Sequence, residues 1–564
     1  MSSPQPGPSK FQNLDSDEAS DNLELNENYN RKRKKHMMDN DDREMEFEDY
    51  LNIGLDYIES DDNEMMFEEE DSESDEELES KELDELFENI EDTGKWTCDG
   101  DFKQFSFEEK AGLQNPAKGP DPYNFFELLV NNDFFSIIVD ETNKYAESER
   151  GNRVKMLNVE EFRKFVGLLL HMGTIKCSQI QNYWSTHRLF NFNCFSQHMS
   201  RNRFQEILRS LNFASNDESS NCLSKIQPVI DYFNDKMKTI YYPHKELCIN
   251  KTTVPWTDPL AFQQYIAGKK RKYGVKLYVL TESSGITLRI KMYTGHGDDD
   301  SRKGHVTKAV LCLLEDFLQK GHSVFMDNCY VSFMLSEHLL DYKTYCTGIL
   351  QKFRKGNSKE VIRAKLSKGE AILRYKNKIM MGMFRDKRDI LFISSEFKPN
   401  LIEVENKRKE KLRKPLVLHK YNKVMNGINR KDQMLSHYTC SRRTFQSHIK
   451  LWINIVETLL LNSFFLYAKY SSVPQKLNFY DFRLNIIDTL LFENNQENTL
   501  VILPDLEHTP EILSRGKNNK IRRKRCRQCF MHNIRKETNY FCGACEGNPG
   551  LCIGKCFKEY HRRK

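Results

Sequence analysis

The sequence contains no run of about 18 apolar residues, the length that a membrane-spanning helix requires. Its first ten residues, MSSPQPGPSK, lack the apolar stretch of a secretory signal peptide. Nine of the 15 cysteines lie before residue 526, and these nine show no regular pair spacing. We therefore expect an intracellular protein with reduced thiols and no membrane partner, and not a disulfide-stabilised secreted fold.

The net charge of +3 hides a very uneven distribution of charge. Residues 1–110 contain 37 acidic and 11 basic side chains, a net charge of −26, and the other 454 residues contain 45 acidic and 74 basic ones, a net charge of +29. An acidic tail on a basic body is typical of nucleic-acid binders, because the basic surface attracts phosphates. The acidic segment could compete for that surface, or it could simply keep a disordered tail solvated.

The N-terminal region, residues 1–117, is predicted to be a disordered acidic tail, since runs such as EEEDSESDEELES are too charged to collapse. Five consecutive basic residues at 31–35 within it form a candidate nuclear import signal. The expected location of the protein is therefore the nucleus.

The body of the chain changes its apolar period at about residue 246. Before it, stretches such as VEEFRKFVGLLLHMGTI have helical spacing. After it, KLYVLTE and ITLRIKMYT on either side of Ser283–Gly285 predict a β-hairpin. A helix ending near Gly321 and a short strand ending at Asp327 follow, an order typical of an α/β layer. The later stretch HIKLWINIVETLLLNSFFLYAKY predicts a long buried helix.

The C-terminus carries the most specific single motif, a set of seven residues of zinc-binding type. They are Cys526, Cys529, Cys542, Cys545, Cys552, Cys556 and His561. The two CxxC pairs have the spacing of a four-thiolate zinc site, and the last three residues could hold a second zinc with His532. A cross-brace would instead interleave the pairs, and the spacing leaves both arrangements open. Fifteen basic residues against three acidic ones from Ser514 onward favour a DNA-binding role.

Several segments resemble the piggyBac transposase family and occur in the family's order. The stretch from Pro122 to Ala146 resembles the family's FF and ETNxYA pattern. Five shorter blocks follow it: ELCINKTT, QYIAGKKRKYGVKLYVL, FMDNCYVS, YNKVMNGINRKDQM and TCSRRT. The resemblance extends from about residue 118 to 470 and includes the C-terminal cysteines.

The resemblance implies an α/β ribonuclease H-like core with an insertion, a split all-helical dimerization and DNA-binding domain, and a small zinc-binding C-terminal domain behind the disordered N-terminus. The boundaries that we predict are 1–117 for the tail, 118–245 and 435–500 for the helical domain, 246–341 and 419–434 for the core, 342–418 for the insertion, 501–525 for a basic linker and 526–564 for the zinc domain. The partners that we expect are DNA, a second copy of the chain in a homodimer, and chromatin proteins.

The resemblance places the family's three catalytic aspartates at Asn250, Asp327 and Asn429, and a further family aspartate at Asp432. The acid after the first aspartate corresponds to Lys251. A strand-transfer nuclease needs two divalent cations held by carboxylates, and neutral amides beside a lysine hold them poorly. We therefore expect structural zinc but no productive magnesium site, and a rate of cleavage lower by orders of magnitude.

Two alternatives apply to these positions. Asp258 could replace the first aspartate if the alignment shifted by a few residues, although ELCIN aligns without a gap. Asp327 and Asp432 could also be purely structural, pairing with a nearby lysine or arginine or accepting backbone N–H groups.

Seven basic residues are candidates for DNA contact: Lys269, Lys270, Arg271, Lys272, Lys276, Arg442 and Arg443. The first five could neutralise phosphates or could form only a solvated loop. The two arginines lie in the family-like TCSRRT segment. Where the family often has a tryptophan after this block, this chain has Ser447, which weakens the expected grip on transposon ends.

The function that the sequence predicts is that of a piggyBac-derived nuclear DNA-binding protein without transposase activity. One alternative is an active transposase that uses unusual metal ligands. Another is a scaffold that binds chromatin proteins through its zinc domain and acidic tail.

Overall fold

The computed structural model of the chain describes residues 95–150, 155–190, 192–214, 224–255, 264–265, 273–293, 305–405, 411–492, 510–513, 521–532, 534–543, 545 and 548–562. These residues form two compact units that divide between Leu491 and Phe492. The predicted import signal at residues 31–35 and the alternative aspartate, Asp258, lie outside the described residues.

Six α-helices in the described part of the chain precede the main sheet, as the helical spacing of the apolar residues predicts. They are α1 Pro122–Leu129, α2 Asn132–Arg150, α3 Val159–Thr174, α4 Asn193–His198, α5 Arg201–Ser210 and α6 Gln227–Ile240. The Asn158 and Ser200 side chains accept backbone N–H groups and so cap the first turns of α3 and α5. A short strand before these helices in the chain, β1 Gly112–Leu113, pairs with a short strand after them, β2 Tyr241–Tyr242.

A mixed sheet of nine described strands forms the centre of the larger unit. Its strands are β3 Glu246–Pro255, β4 Gln264–Tyr265, β5 Tyr273–Glu282, β6 Thr287–Met292, β7 Ser323–Met326, β8 Tyr345–Ile349, β9 Ala371–Lys376, β10 Ile379–Arg385 and β11 Asp389–Ser394. Their order is β4-β5-β3-β7-β8-β11-β10-β9, with β6 also paired to β5 as the predicted hairpin. Strands β3, β7 and β8 are parallel, and helices α7 His305–Leu314 and α8 Phe333–Asp341 precede β7 and β8. This mixed sheet with helical connections confirms the predicted α/β class.

The segment 342–418, which the sequence predicts to be an insertion, contributes four strands to the same sheet. β8 pairs in parallel with β7, and β11, β10 and β9 continue the sheet from β8 by antiparallel pairing. The predicted boundary at residue 341 therefore falls between two strands of one sheet, β7 and β8. All five residues of β8 are buried, so the strand lacks the alternation that would reveal it. Helix α9 Lys359–Arg363 and a separate hairpin, β12 Leu401–Glu405 with β13 Lys411–Pro415, complete this segment.

Three long helices follow: α10 Leu416–Tyr438, α11 Ser447–Tyr470 and α12 Phe479–Phe492. Among the described residues, α11 alone has the length and apolar composition of a membrane span, and 94% of that stretch is buried inside the fold. The prediction of a buried core helix is confirmed. The Trp452 ring of α11 lies 6.1 Å from Phe162 of α3 and 5.7 Å from Phe213, which follows α5, so α11 packs on the region that precedes the sheet.

A buried arginine joins α12 to α3. The Arg483 guanidinium donates to the carbonyl of Leu170 at 2.5 Å and to Thr174 Oγ1 at 3.3 Å. Nearby, Glu457 of α11 accepts the backbone N–H of Cys440 at 2.6 Å. Burial raises the pKa of the Glu457 carboxyl, against the opposing effect of the Arg483 charge. The helices before and after the sheet are therefore held together by polar as well as apolar contacts.

Residues 95–117, predicted as the end of the disordered tail, pack against the sheet instead. Thr97 exchanges two backbone hydrogen bonds with Tyr375 of β9, at 2.8 and 2.9 Å. The Phe105 ring lies 5.1 Å from Tyr345 of β8. A prediction of disorder that is based on the number of charged residues does not detect apolar contacts of this kind. This explains why the sequence assigns residues 95–117 to the tail. Residues 1–94 of the predicted tail lie outside the described residues.

The smaller unit is a set of short elements around the cysteines. They are β14 Pro510–Ile512, β15 Lys524–Arg525, α13 Arg527–Met531, β16 Glu537–Thr538, β17 Tyr540–Cys542 and α14 Lys555–Arg562. β14 pairs with β17 and β15 pairs with β16, so the predicted linker 501–525 supplies two strands to this unit. Strands of two or three residues are too short to show an apolar period, so the sequence did not predict them.

The close approach of α10 to the β5–β6 turn predicts the effect of one substitution. A Cβ atom on Gly427 of α10 would lie 2.2 Å from the carbonyl oxygen of Ser283. We expect Gly427→Ala to lower the midpoint of thermal unfolding, at a cost of about 1–3 kcal/mol from overpacking. The exposed neighbour Asn426 is the control, since Asn426→Ala should leave the midpoint unchanged or raise it slightly. An unchanged midpoint for Gly427→Ala would rule out this close approach.

Candidate nucleic-acid site and zinc-binding clusters

Parallel pairing places the first two catalytic positions side by side. The register of β3 with β7 pairs the residues just before Asn250 and Asp327, so these two lie next to each other on neighbouring strands. Because side chains alternate along a strand, both point to the face that bears Cys248 and Phe325. Those two residues share a buried cluster with α10, so Asn250, in the middle of β3, and Asp327, just after the end of β7, face α10.

Lys251 does not lie on that face. It follows Asn250 in β3 and pairs with Tyr278 of β5, so strand alternation directs its side chain to the opposite face of the sheet. Its backbone N–H donates to Asn250 Oδ1 at 2.6 Å. The two-residue period of a strand thus places the Lys251 side chain on the face of β3 opposite to that of Asn250.

Helix α10 brings the remaining two positions to this end of the sheet. Its residues Tyr421, Val424 and Ile428 are buried against the sheet at helical spacing. Asn429 follows them and is exposed. Asp432 lies one turn further on, with its side chain 40% exposed. The four family positions thus converge near one edge, although they differ in how open they are to solvent.

The two retained carboxylates both make protein contacts. Asp432 forms an ion pair with the buried ammonium of Lys431 at 3.3 Å. Asp327 accepts the backbone N–H of Asn328 at 2.7 Å and a hydrogen bond from the Tyr421 side chain. Burial, with the charge of Asp327, raises the pKa of Tyr421 well above its ordinary value. These contacts are of the kind expected if Asp327 and Asp432 have a purely structural role. The sequence gives no sign of the contacts of Lys431 and Tyr421, because nothing in the YNKVMNGINRKDQM segment distinguishes its buried side chains from its exposed ones.

The electrostatics around Cys248 show how near these groups are to each other. Burial, together with the charges of Asp327 and Asp432, raises the pKa of the Cys248 thiol, and Lys431 acts in the opposite direction. In the part of the chain that the structure describes, groups of three or more closely spaced ligands of metal-binding type occur only among the C-terminal cysteines. The side chains at and beside the catalytic positions are thus two carboxylates, two amides and one buried ammonium.

The basic candidates have different surroundings. Lys269, Lys270, Arg271 and Lys272 lie outside the described residues, and Lys276 is half-buried within β5. The Arg442 guanidinium lies 5.2 Å from the centre of the Tyr183 ring and donates to its hydroxyl at 2.7 Å. Arg443 is exposed. Arg442 is therefore a packing residue in this fold, and Arg443 is the better placed of the two for a phosphate contact.

The cysteine-rich unit groups its seven ligands in a crossed pattern. One group is Cys526, Cys529, Cys552 and Cys556, and the other is Cys542, Cys545 and His561. Within each group the ligand atoms all lie within 4.8 Å of one another. The first CxxC pair thus joins the last two cysteines, and the second CxxC pair joins the histidine. This is the interleaved arrangement, and the one in which both CxxC pairs share an ion is not found.

The distances between these side chains fit zinc, with four protein ligands in the first group and three in the second. The Sγ atoms of Cys529 and Cys556 are 3.6 Å apart, and Cys545 Sγ lies 3.3 Å from His561 Nε2. Zinc–sulfur bonds of about 2.3 Å give tetrahedral edges of about 3.8 Å. His561 Nδ1 lies 2.7 Å from the carbonyl of Phe557, which leaves Nε2 for a metal. His532, the further ligand that the sequence suggested, is 3.4 Å from Gln528 and belongs to neither group.

Family models match both units. A model described as Transposase IS4 matches residues 121–464, which is more than half of the chain. A model described as DDE_Tnp_1-like zinc finger matches residues 505–562, and so begins within the predicted linker, as β14 does.

Two human proteins and one solved structure are similar to the chain. PiggyBac transposable element-derived protein 3 is 23% identical and PiggyBac transposable element-derived protein 2 is 21% identical, each over 78% of this chain and 76% of its own length. The cryo-EM structure of the piggyBac transposase synaptic complex with hairpin DNA matches with a TM-score of 0.61, at 20% identity, over 79% of this chain and 98% of that one. This likeness confirms the ribonuclease H-like fold. The chain therefore belongs to the piggyBac transposase family.

Proposed function

We propose that the protein is a nuclear DNA-binding member of the family that does not cleave DNA. The observation that carries the proposal is the set of contacts at Asp327 and Asp432, whose carboxylates are engaged by Tyr421, a backbone N–H and Lys431. The other two family positions are the amides Asn250 and Asn429. The chain keeps the fold of the family and has lost much of the negative charge that the chemistry needs.

Charge explains why cleavage should be lost. Two divalent cations need several anionic oxygens, and Mg²⁺ in particular requires nearly ideal octahedral geometry. The Lys431 ammonium is held 3.3 Å from Asp432 and already neutralises that carboxylate. A divalent cation would have to bind beside this fixed positive charge, with amides in place of two carboxylates. Each tenfold loss of rate corresponds to only about 1.4 kcal/mol of transition-state stabilisation.

DNA binding rests on features that these changes leave intact. The basic body retains its net charge of +29, and the residues from Ser514 onward carry fifteen basic side chains. Arg443 is exposed in the segment that follows α10. A related protein of the family is known in a complex with hairpin DNA. Neutralising phosphates releases counterions, so binding of this kind should weaken steeply with salt.

The test of the proposed function is a direct measurement with the purified full-length chain. We expect binding to hairpin and duplex DNA, with an affinity that falls steeply as salt rises, at a slope of about −0.9 per phosphate contacted. We expect no strand cleavage of the same DNA in millimolar Mg²⁺. Cleavage by the wild-type chain would falsify the loss of activity, and the absence of salt-dependent binding would remove the DNA-binding function.

A paired set of variants isolates the effect of Lys431. Asn250→Asp with Asn429→Asp restores two carboxylates, and adding Lys431→Met removes the buried ammonium. We expect the triple variant to bind Mg²⁺ measurably more tightly than the double variant in a calorimetric titration, because only the triple variant frees Asp432. Equal affinities in the two variants would show that Lys431 does not compete with a cation.

The crossed ligand pattern makes a quantitative prediction for zinc content. We expect two zinc ions per chain by elemental analysis, and one ion in the Cys529→Ser/Cys556→Ser variant, whose two substitutions affect a single group. Cys529→Ser/Cys545→Ser affects both groups and should retain none. A sequential pairing of the two CxxC motifs predicts the reverse result. The control is Cys312→Ser, which changes an exposed cysteine outside both groups.

A further inference from the structure

Phe353 is the most exposed large apolar side chain in the described part of the chain, at 90%, and Leu189 follows at 73%. A single exposed apolar residue is common on protein surfaces, so exposure alone implies no function. The position and the neighbours of Phe353 are what distinguish it. It lies in the loop between β8 and α9, at the carboxyl end of a central parallel strand. Ligands of α/β sheets bind at this end of the strands.

The loop is attached to the catalytic edge of the sheet. Arg354, the residue after Phe353, is 3% exposed. Its Nη2 donates to the carbonyl oxygens of Asn328 and Cys329, at 3.2 and 3.1 Å. These are the two residues that directly follow Asp327. Phe353 is therefore fixed beside the edge at which the four family positions meet.

The loop also holds its own shape. Asn357 Nδ2 donates to the carbonyl of Gln351 at 2.9 Å and closes the loop across its base. Gly356 adopts a φ of 83°, a left-handed conformation that favours glycine. The Ser358 side chain caps α9 by accepting the backbone N–H of Val361 at 3.4 Å. A ring presented by a closed loop needs little ordering on binding, which favours affinity.

The segment that carries Phe353 is basic. The segment from Leu350 to Lys359, LQKFRKGNSK, contains four basic residues and no acidic one. Lys352, Lys355 and Lys359 are all exposed. An exposed aromatic ring in a lysine-rich loop is a combination that binds single-stranded nucleic acid, because the ring stacks on a base while the lysines contact phosphates.

We propose that Phe353 stacks on an unpaired base of bound DNA, so that this loop distinguishes DNA with unpaired bases from a complete duplex. The inference rests on the proposed function and adds the substrate class that the site recognises. In a continuous duplex the base faces are already covered by their neighbours. A side chain at the tip of a rigid loop therefore gains a stacking partner only where bases are unpaired.

The test compares three DNAs of equal length: a duplex, the same duplex with a central four-nucleotide bubble, and a single strand. We expect the wild-type chain to prefer the bubble over the duplex in fluorescence anisotropy. Phe353→Ala should lower bubble affinity by about five- to 100-fold and leave duplex affinity nearly unchanged. Phe353→Trp should keep the preference and Phe353→Leu should lose most of it, because stacking requires a ring.

Two matched controls separate stacking from charge and from general exposure. Lys352→Gln should weaken duplex and bubble binding by the same factor and reduce the salt dependence by about one phosphate. Leu189→Ala removes the next most exposed apolar side chain and should change neither affinity. All variants alter exposed side chains, so their thermal midpoints should equal that of the wild type.

The outcomes distinguish this inference from the function on which it rests. If the wild type binds no DNA, the proposed function itself fails. If the wild type binds DNA with a steep salt dependence but Phe353→Ala keeps the full bubble preference, only the stacking inference fails. If Phe353→Ala changes the sedimentation behaviour of the protein and not its DNA affinities, Phe353 belongs to a contact between protein chains, and the inference is again overturned.

Discussion

The packing of α10 across one face of the sheet is the contact on which the candidate site depends. Tyr421, Val424 and Ile428 are buried with Cys248 and Phe325, and this apolar contact sets the position of the helical turn that carries the last two family residues. The residues that make the contact are not those that would perform catalysis. The amides at Asn250 and Asn429 therefore leave this packing contact in place.

The electrostatics of the site likewise involve residues other than the four catalytic positions. A buried lysine is stable only with a compensating charge, and Asp432 provides it at 3.3 Å. The acidic residue thus has a structural use that does not depend on a metal. Asp327 has a comparable use through the hydroxyl of Tyr421. Both carboxylates can therefore stabilise the fold without taking part in catalysis, because neighbouring side chains form an ion pair and a hydrogen bond with them.

The sequence predicts those parts of the structure that depend on local periodicity. The β5–β6 hairpin, the buried α11 and the α/β class follow from spacings of two and 3.6 residues, and the candidate zinc ligands follow from their residue types. The errors arise where partners are distant in sequence. The fully buried β8, the packed residues 95–117 and the two-residue strands of the smaller unit give no local signal.

The candidate site shows the same limit. The four family positions could be identified from motifs, but their neighbours could not. Three features have this origin: the face of β3 on which Lys251 lies, the burial of Lys431 and the crossed grouping of the cysteines. All three are properties of strand register and tertiary packing. Such properties depend on which segments pack together in the folded protein, and no local pattern of residue types shows this.

The contact of Trp452 with Phe162 and Phe213 has a consequence for the synthesis of the protein. The aromatic partners on the early helical segments are made more than two hundred residues before α11 exists to cover them. At about 5–20 residues per second, this interval lasts roughly 10–50 s. During that time the growing polypeptide exposes an apolar surface that favours aggregation. The yield of the protein in a cell should therefore depend on chaperones that bind nascent chains.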